Sequence, residues 1–406
     1  MIPGRSCSCV SSEGPIDMRF TLRSFSMLAA GIVAALCSPA AAQDYAGYRV
    51  LDTKVIEDMW TSAGQKAALL SPDGSRVLHL NGREFCLLAP AQIGPWAKIA
   101  CAPSTSDNRT GEAADMFWSP SGSQLLMPTY ADALQAFRDT DIRLFDPVTF
   151  SVRNLTDDGF DDSLRDGKGP ANLDLLAHWI DSDTIVFIRY AIPKGGIEQG
   201  AATSLMTIKA DGGDPHLAFE IAAKGNFQVW AMTVSADGKQ VAYSVADDKD
   251  DAGKAGTYLL TLGEATPKRI AAMSDVGNPA GLAFSADGKF LLLLGRSASG
   301  VDAKTIDLAS GEIVPVDRVQ NVVGVAWSPS GSALAYITYD RTNADMPGGL
   351  FLAEAPGKPA RLLVGGGFFP TVCCGQQPFI WASNDTMVIA QLGDKLGTVL
   401  FVRLGQ

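Results

Sequence analysis

Histidine is nearly missing. His79, His178 and His216 are the only three in 406 residues. They stand far apart, so a multi-histidine metal centre has little material. Charge is sparse as well. Asp, Glu, Lys and Arg make up 19% of the chain, and the cations are the smaller share, 33 against 44, for a formal net charge of −11. That deficit excludes a nucleic-acid backbone or an anionic lipid surface as the main partner. Long hydrophobic runs are missing too. The uninterrupted run from Met27 to Cys37 is about half of what a membrane-spanning helix needs. No G-x-S-x-G nucleophile elbow, no C-x-x-C and no C-x-x-C-H occurs, which disfavours a serine peptidase, a thioredoxin-like oxidoreductase and a c-type haem site. What is plentiful is hydrophobic residues, 47%, with 41 Gly and 22 Pro. That composition suits an all-β chain with many turns and a large core.

The short apolar run has an address's layout. Residues 18–43 read MRFTLRSFSMLAAGIVAALCSPAAAQ: Arg19 and Arg23, then the apolar stretch, then small residues at Ala40–Ala42. This is the pattern of a secretory signal peptide cleaved after Ala42. Leu36 before Cys37 argues against lipid attachment. Residues 1–17 read as an upstream extension with Met18 the initiator. The mature chain, 43–406, then carries −12, has no membrane-spanning segment, and is expected in the periplasm or outside the cell.

One local pattern recurs seven times: an apolar or Trp residue, a small polar turn, then an apolar strand. The copies are Leu70-SPDG, Trp118-SPSG, Trp179-IDSD, Val234-SADG, Phe284-SADG, Trp327-SPSG and Trp381-ASND, spaced by 48, 61, 55, 50, 43 and 54 residues. Each unit continues with two further apolar strands around a second short turn. Units of about 50 residues with four strands predict the blades of a β-propeller. The last unit lacks a fourth strand, and YRVLDTKVI at 48–56 is otherwise unplaced. The expected fold is therefore all-β, seven four-stranded antiparallel blades over 43–406 as one domain, closed by the N-terminal strand. Six blades is the alternative.

The W/F-SPDG-strand unit resembles the repeat of TolB and of the N-terminal propeller of prolyl oligopeptidase-family peptidases, a relative of WD repeats. The resemblance covers nearly all of 48–406. It implies the fold and leaves the activity open. No α/β domain precedes the first repeat, as it does in TolB, and no hydrolase domain follows the last.

Alternating strands send the connections to two faces. First-to-second and third-to-fourth turns share one face and are short. Second-to-third and unit-to-unit connections share the other and are long and unlike one another, at 103–115, 130–141, 157–173, 190–203, 247–256, 340–349 and 365–377. Varied connections on a rigid frame are where binding resides. The candidate binding residues on that face are Tyr130, Arg138, Asp158, Asp161, Asp162, Arg189, Tyr190, Tyr339 and Arg341: aromatics and cations that grip a carboxylate or a sugar, and acids that offer oxygen ligands. No cofactor is expected. Ca²⁺ is the secondary reading, without the EF-hand spacing. The recurring tryptophans and the three histidines read as packing.

Four cysteines remain in the mature chain. Cys86 and Cys101 lie in the third and fourth strands of the first unit and are expected to be bridged. Cys373 and Cys374 would form a vicinal bridge or stay free. The functional expectation is an exported scaffold that binds a protein or cell-envelope component, with no nucleic acid. The alternatives are a carbohydrate- or lactone-acting lyase or hydrolase at the channel mouth, and a subunit of a periplasmic redox complex. Catalytic residues are not assigned, and the sequence leaves open whether the chain is an enzyme, with the balance toward a scaffold.

Overall fold

The computed structural model describes residues 46–56, 69–73, 75–80, 84–89, 97–103, 117–127, 140–159, 170–196, 199–225, 228–246, 253–297, 300–316, 322–331, 333–338, 348–365, 379–391 and 398–406. The expected leader at 18–42 lies outside them, and so do Cys373 and Cys374.

Twenty-eight strands in these residues make seven four-stranded antiparallel sheets. Blade one is β2 (Leu69–Leu70), β3 (Val77–Leu80), β4 (Glu84–Ala89) and β5 (Ala97–Pro103). Blade two is β6 (Phe117–Trp118), β7 (Leu125–Leu126), β8 (Arg143–Phe145) and β9 (Val152–Asn154). Blade three is β10 (Ala171–Trp179), β11 (Thr184–Ile192), β12 (Ala201–Lys209) and β13 (His216–Gly225). Blade four is β14 (Gln228–Val234), β15 (Gln240–Ala246), β16 (Gly256–Thr261) and β17 (Lys268–Ala272), followed by the one-turn helix α1 (Met273–Val276). Blade five is β18 (Asn278–Phe284), β19 (Phe290–Ser297), β20 (Gly300–Asp307) and β21 (Ile313–Pro315). Blade six is β22 (Val322–Trp327), β23 (Leu334–Thr338), β24 (Gly349–Ala353) and β25 (Arg361–Gly365). Blade seven is β26 (Phe379–Ser383), β27 (Thr386–Gln391), β28 (Thr398–Gly405) and, as its outer strand, β1 (Arg49–Ile56).

The closure expected from the unplaced N-terminal segment is thus present, with β1 antiparallel to β28 from Arg49 opposite Gly405 to Ile56 opposite Val399. Adjacent sheets meet through their first strands. β14 touches β10 and β18, β22 touches β18 and β26, and β2 touches both β26 and β6. These contacts join blade seven to blade one and put the first strands at the inner end of every sheet.

The recurring turn has a chemical cause. In blade one the Ser71 hydroxyl donates to Asp73 Oδ1 (2.5 Å) and accepts from the Arg76 N–H (2.9 Å). The same pair of bonds recurs at Ser235, Asp237 and Gln240, and at Ser285, Asp287 and Phe290. Backbone bonds close each turn, as from the Ser235 N–H to the Gln240 carbonyl and from the Gly238 N–H to the Ser235 carbonyl. The glycine takes a left-handed conformation, with φ +71° at Gly238 and +70° at Gly288. Side-chain bonds of this kind let Ser and Asp replace the missing ladder partners at a strand end.

The core lies between the sheets rather than within one layer. Leu126, Ile142 and Leu144 of the blade-two region pack on Trp179, Ile185 and Phe187 of blade three. Leu173, Ile188 and Tyr190 of blade three pack on Val229, Val241 and Tyr243 of blade four. Equivalent layers join blades five to six and six to seven. Two tryptophans tie neighbours directly. The Trp179 Nε1–H donates to the Phe117 carbonyl of β6, and the Trp327 Nε1–H to the Ala283 carbonyl of β18, each at 3.0 Å. Cys86 and Cys101 stand opposite each other on β4 and β5 and are joined by a disulfide, with Cα atoms 4.1 Å apart.

Candidate functional site

The strand ends divide the connections as the sequence reading expected. On the turn face none is longer than 90–96 or 354–360. On the other face run 57–68, 104–116, 127–142, 155–170, 193–200, 247–255, 339–348 and 366–378. Not every connection there is long: 81–83, 226–227 and 298–299 are minimal. Four of the long ones, 104–116, 127–142, 155–170 and 193–200, join strands of blades one to three.

The junction of blades two and three holds a polar group buried between two sheets. Asp174 sits on β10 with none of its surface exposed. Its carboxylate takes both prongs of Arg189 from β11, Nε at 2.8 Å and Nη2 at 2.7 Å. The two residues are register partners across the strands. The Thr140 hydroxyl donates to the Asp174 carbonyl (3.0 Å), and the Asp174 N–H returns to the Thr140 carbonyl (2.9 Å), which ties blade two to blade three. Burial pushes the Asp174 carboxyl up. Burial also works against the Arg189 charge, but Asp174 outweighs it and holds the guanidinium above its ordinary range. The bidentate contact keeps the pair ionised at neutral pH.

Around the pair stand more acids. Asp141 is raised first by burial, with Asp157 and Asp158 adding to the rise, against the Asn154 amide that donates to it at 2.7 Å and against Arg143. The Asp158 carboxylate accepts the Asn172 N–H (2.8 Å) and so fastens the 155–170 connection to the start of β10. A few residues on, the β10–β11 register shifts between Leu175 and His178, and Leu176 takes φ +54°. Such a bulge turns the following side chains to the other face of the sheet. It lets Asn172 and Asp174 as well as Ala177 and Trp179 meet blade two. His178 lies against the Phe117 ring, centroids 4.4 Å apart, and burial pushes it down to about 4, so it is neutral at physiological pH.

Blade four adds an aromatic. The Tyr190 hydroxyl accepts the Val229 N–H of β14 at 2.6 Å. The next residue, Trp230, is 48% exposed, while Val229 and Ala231 on either side are 1% and 5% exposed. Trp230 is the extra residue of a bulge between Val229 and Ala231.

Of the sequence-derived binding residues, Asp158, Arg189 and Tyr190 fall on this side of blades two to four. Arg189 is engaged by Asp174, and Tyr190 is 5% exposed within the blade-three and blade-four core. Tyr130, Arg138, Asp161, Asp162, Tyr339 and Arg341 lie outside the described residues. Sequence reading missed Asp174, Asp141 and Trp230. A lone Asp inside the apolar strand ANLDLLAHW was the available signal for the first. A Trp four residues ahead of the repeat position, rather than on it, was the signal for the last. Among the described residues no three His, Cys, Asp or Glu side chains converge as metal ligands, and no helix is long and apolar enough to cross a membrane.

No family model and no curated protein sequence matches the chain. Solved structures do. An oligogalacturonate lyase in complex with manganese aligns at 11% identity and TM-score 0.51 over 87% of this chain and 91% of its own. An oligogalacturonate lyase from Vibrio parahaemolyticus aligns at 11% identity and TM-score 0.55 over 90% and 98%. A TolB-type protein from Agrobacterium tumefaciens aligns at 14% identity and TM-score 0.41 over 87% and 98%. The two lyase likenesses agree with the sheet order on the propeller fold, and at such identities they carry the fold alone.

Proposed function

We propose that the chain is an exported scaffold that holds a protein or cell-envelope component on the face of its long connections. The observation that carries this reading is the asymmetry between the faces. One is built of short repeated turns locked by Ser and Asp, and the other carries all the connections of eight residues or more, with no common pattern. A rigid ring that varies on one side alone is organised for recognition. The ionised Asp174–Arg189 pair and the Asp158–Asn172 bond support it, because they hold the start of a long-connection segment in fixed register. The test is affinity capture from envelope extract with the full chain, and with a variant whose 161–169 segment is replaced by a short Gly-Ser linker. A partner retained by the first and lost by the second is expected. Equal capture by both overturns the face assignment.

A second reading, a lyase or hydrolase acting on an acidic sugar at the channel mouth, is supported by Asp141, whose raised carboxyl has the character of a general acid. A manganese complex of a similarly folded lyase adds a metal to that reading. Turnover of an oligogalacturonate that stops on Asp141→Asn and survives in Tyr258→Phe would favour it over the scaffold.

A further inference from the structure

We propose that Trp230 anchors an extended, cationic peptide segment of the partner at the inner end of blade four. This inference rests on the scaffold reading and specifies what that face recognises. Its starting point is that the fold does not require a tryptophan there. The same kind of bulge interrupts other first strands, between Pro279 and Gly281 in β18 and between Val322 and Gly324 in β22. The residues at those two bulges are Ala280 and Val323. In β14 the bulge residue is the largest side chain available and is 48% exposed between two buried neighbours. Among the exposed large hydrophobic side chains of the described residues Trp230 is the aromatic one, and an exposed indole is the side chain best suited to anchor a partner.

The surroundings select the occupant. β14 has a strand partner on one side only, β15, while its Val229 N–H is taken by the Tyr190 hydroxyl. A strand without a second partner offers its remaining backbone groups to an extended chain. The charge on the neighbouring first-strand junction is negative: Asp157 and Asp158 are exposed, and Asp141 is half-buried. Of the cations there, Arg189 is spent on Asp174 and Arg143 acts on Asp141. Lys194 and Lys254 belong to the second-to-third connections, one to two strands farther outward. An indole on the strand next to β10, at whose start Asp158 is fastened, suits Lys or Arg through cation–π contact and longer-range charge. It disfavours an acidic peptide or an acidic sugar.

The test uses the full chain and a fluorescent decapeptide of alternating Arg and Ala, read by anisotropy. A Glu-Ala decapeptide and an oligogalacturonate serve as competitors. The Arg peptide is expected to bind, with affinity about tenfold weaker in Trp230→Ala and about threefold weaker in Trp230→Phe, which keeps an aromatic face. Unchanged thermal unfolding of both variants confirms that the fold is kept. Equal affinity in Trp230→Ala overturns the proposal, and so does displacement of the Arg peptide by the acidic competitors through the same residue. Envelope capture with Trp230→Ala separates the two levels. Capture that depends on the long connections but not on Trp230 overturns this inference and leaves the scaffold reading standing. Capture that depends on neither overturns both.

Discussion

At the scale of the residue, three side chains set conditions on stability. His178 has a folded-state pKa of about 4, below its ordinary 6.5, because burial disfavours its charge. The unfolded chain therefore takes up a proton that the folded one refuses. Stability from this group is complete above pH 6.5 and is lost as pH falls toward 4, about 2 kcal/mol of it by pH 5. Urea midpoints measured at neutral pH and at pH 5 should converge in His178→Phe, which keeps a ring against Phe117, and diverge in the parent. The turn aspartates act in a lower window. Asp73 is pulled from 3.8 to about 2 by its Ser71 and Ser75 bonds, so its contribution is lost only as pH falls through that range. The third case is Asp174. Removing its partner in Arg189→Met leaves a carboxylate buried alone and should cost about 3 kcal/mol in urea unfolding, whereas the double variant with Asp174→Leu should recover most of it. The buried pair was not legible in the chain. Asp174 and Arg189 are fifteen residues apart, and only the strand register across a bulge reveals that they meet. The same holds for Trp230, whose exposure comes from one extra residue in β14.

At the scale of the element, the turns were the readable part, because their chemistry is local. Ser, Asp and Gly at fixed offsets each perform a step in closing the hairpin, so the order of residue types is itself the structure. What the pattern hides is how each turn meets its neighbour. Gly238 and Gly288 occupy the same position in consecutive blades. A Cβ at Gly238 would overlap the Ile180 carbonyl of blade three, whereas a Cβ at Gly288 meets nothing within 4 Å. Gly288→Ala should therefore show only the strain of a left-handed residue, about 1 kcal/mol. Gly238→Ala should cost several times more. Paired denaturation curves check the difference, and equal losses would deny that the turns stack from blade to blade. The disulfide was also local enough to read, since a hairpin brings Cys86 opposite Cys101.

At the scale of the whole molecule, the count of strands told more than any single strand. A last unit short of one strand and an N-terminal segment without a home pointed to the same closure, and β1 fills it against β28. Deleting 46–56 should leave β28 with an open edge. Light scattering after size-exclusion chromatography is expected to show concentration-dependent association of that variant. A monomer with an unchanged melting temperature would mean that the closure contributes nothing. The β1–β28 pairing also has a consequence in time. Blades one to six are each made of consecutive strands and can form as soon as their own residues are available. β1 must wait until everything from 57 to 397 has been made and arranged. Its contact is the one of longest sequence separation, and closing so large a loop is the costliest ordering step in the ring. Folding should therefore end in a slow phase in which an otherwise assembled arc waits for its two ends to meet, and it is during that wait that the chain is most open to capture by a second copy of itself.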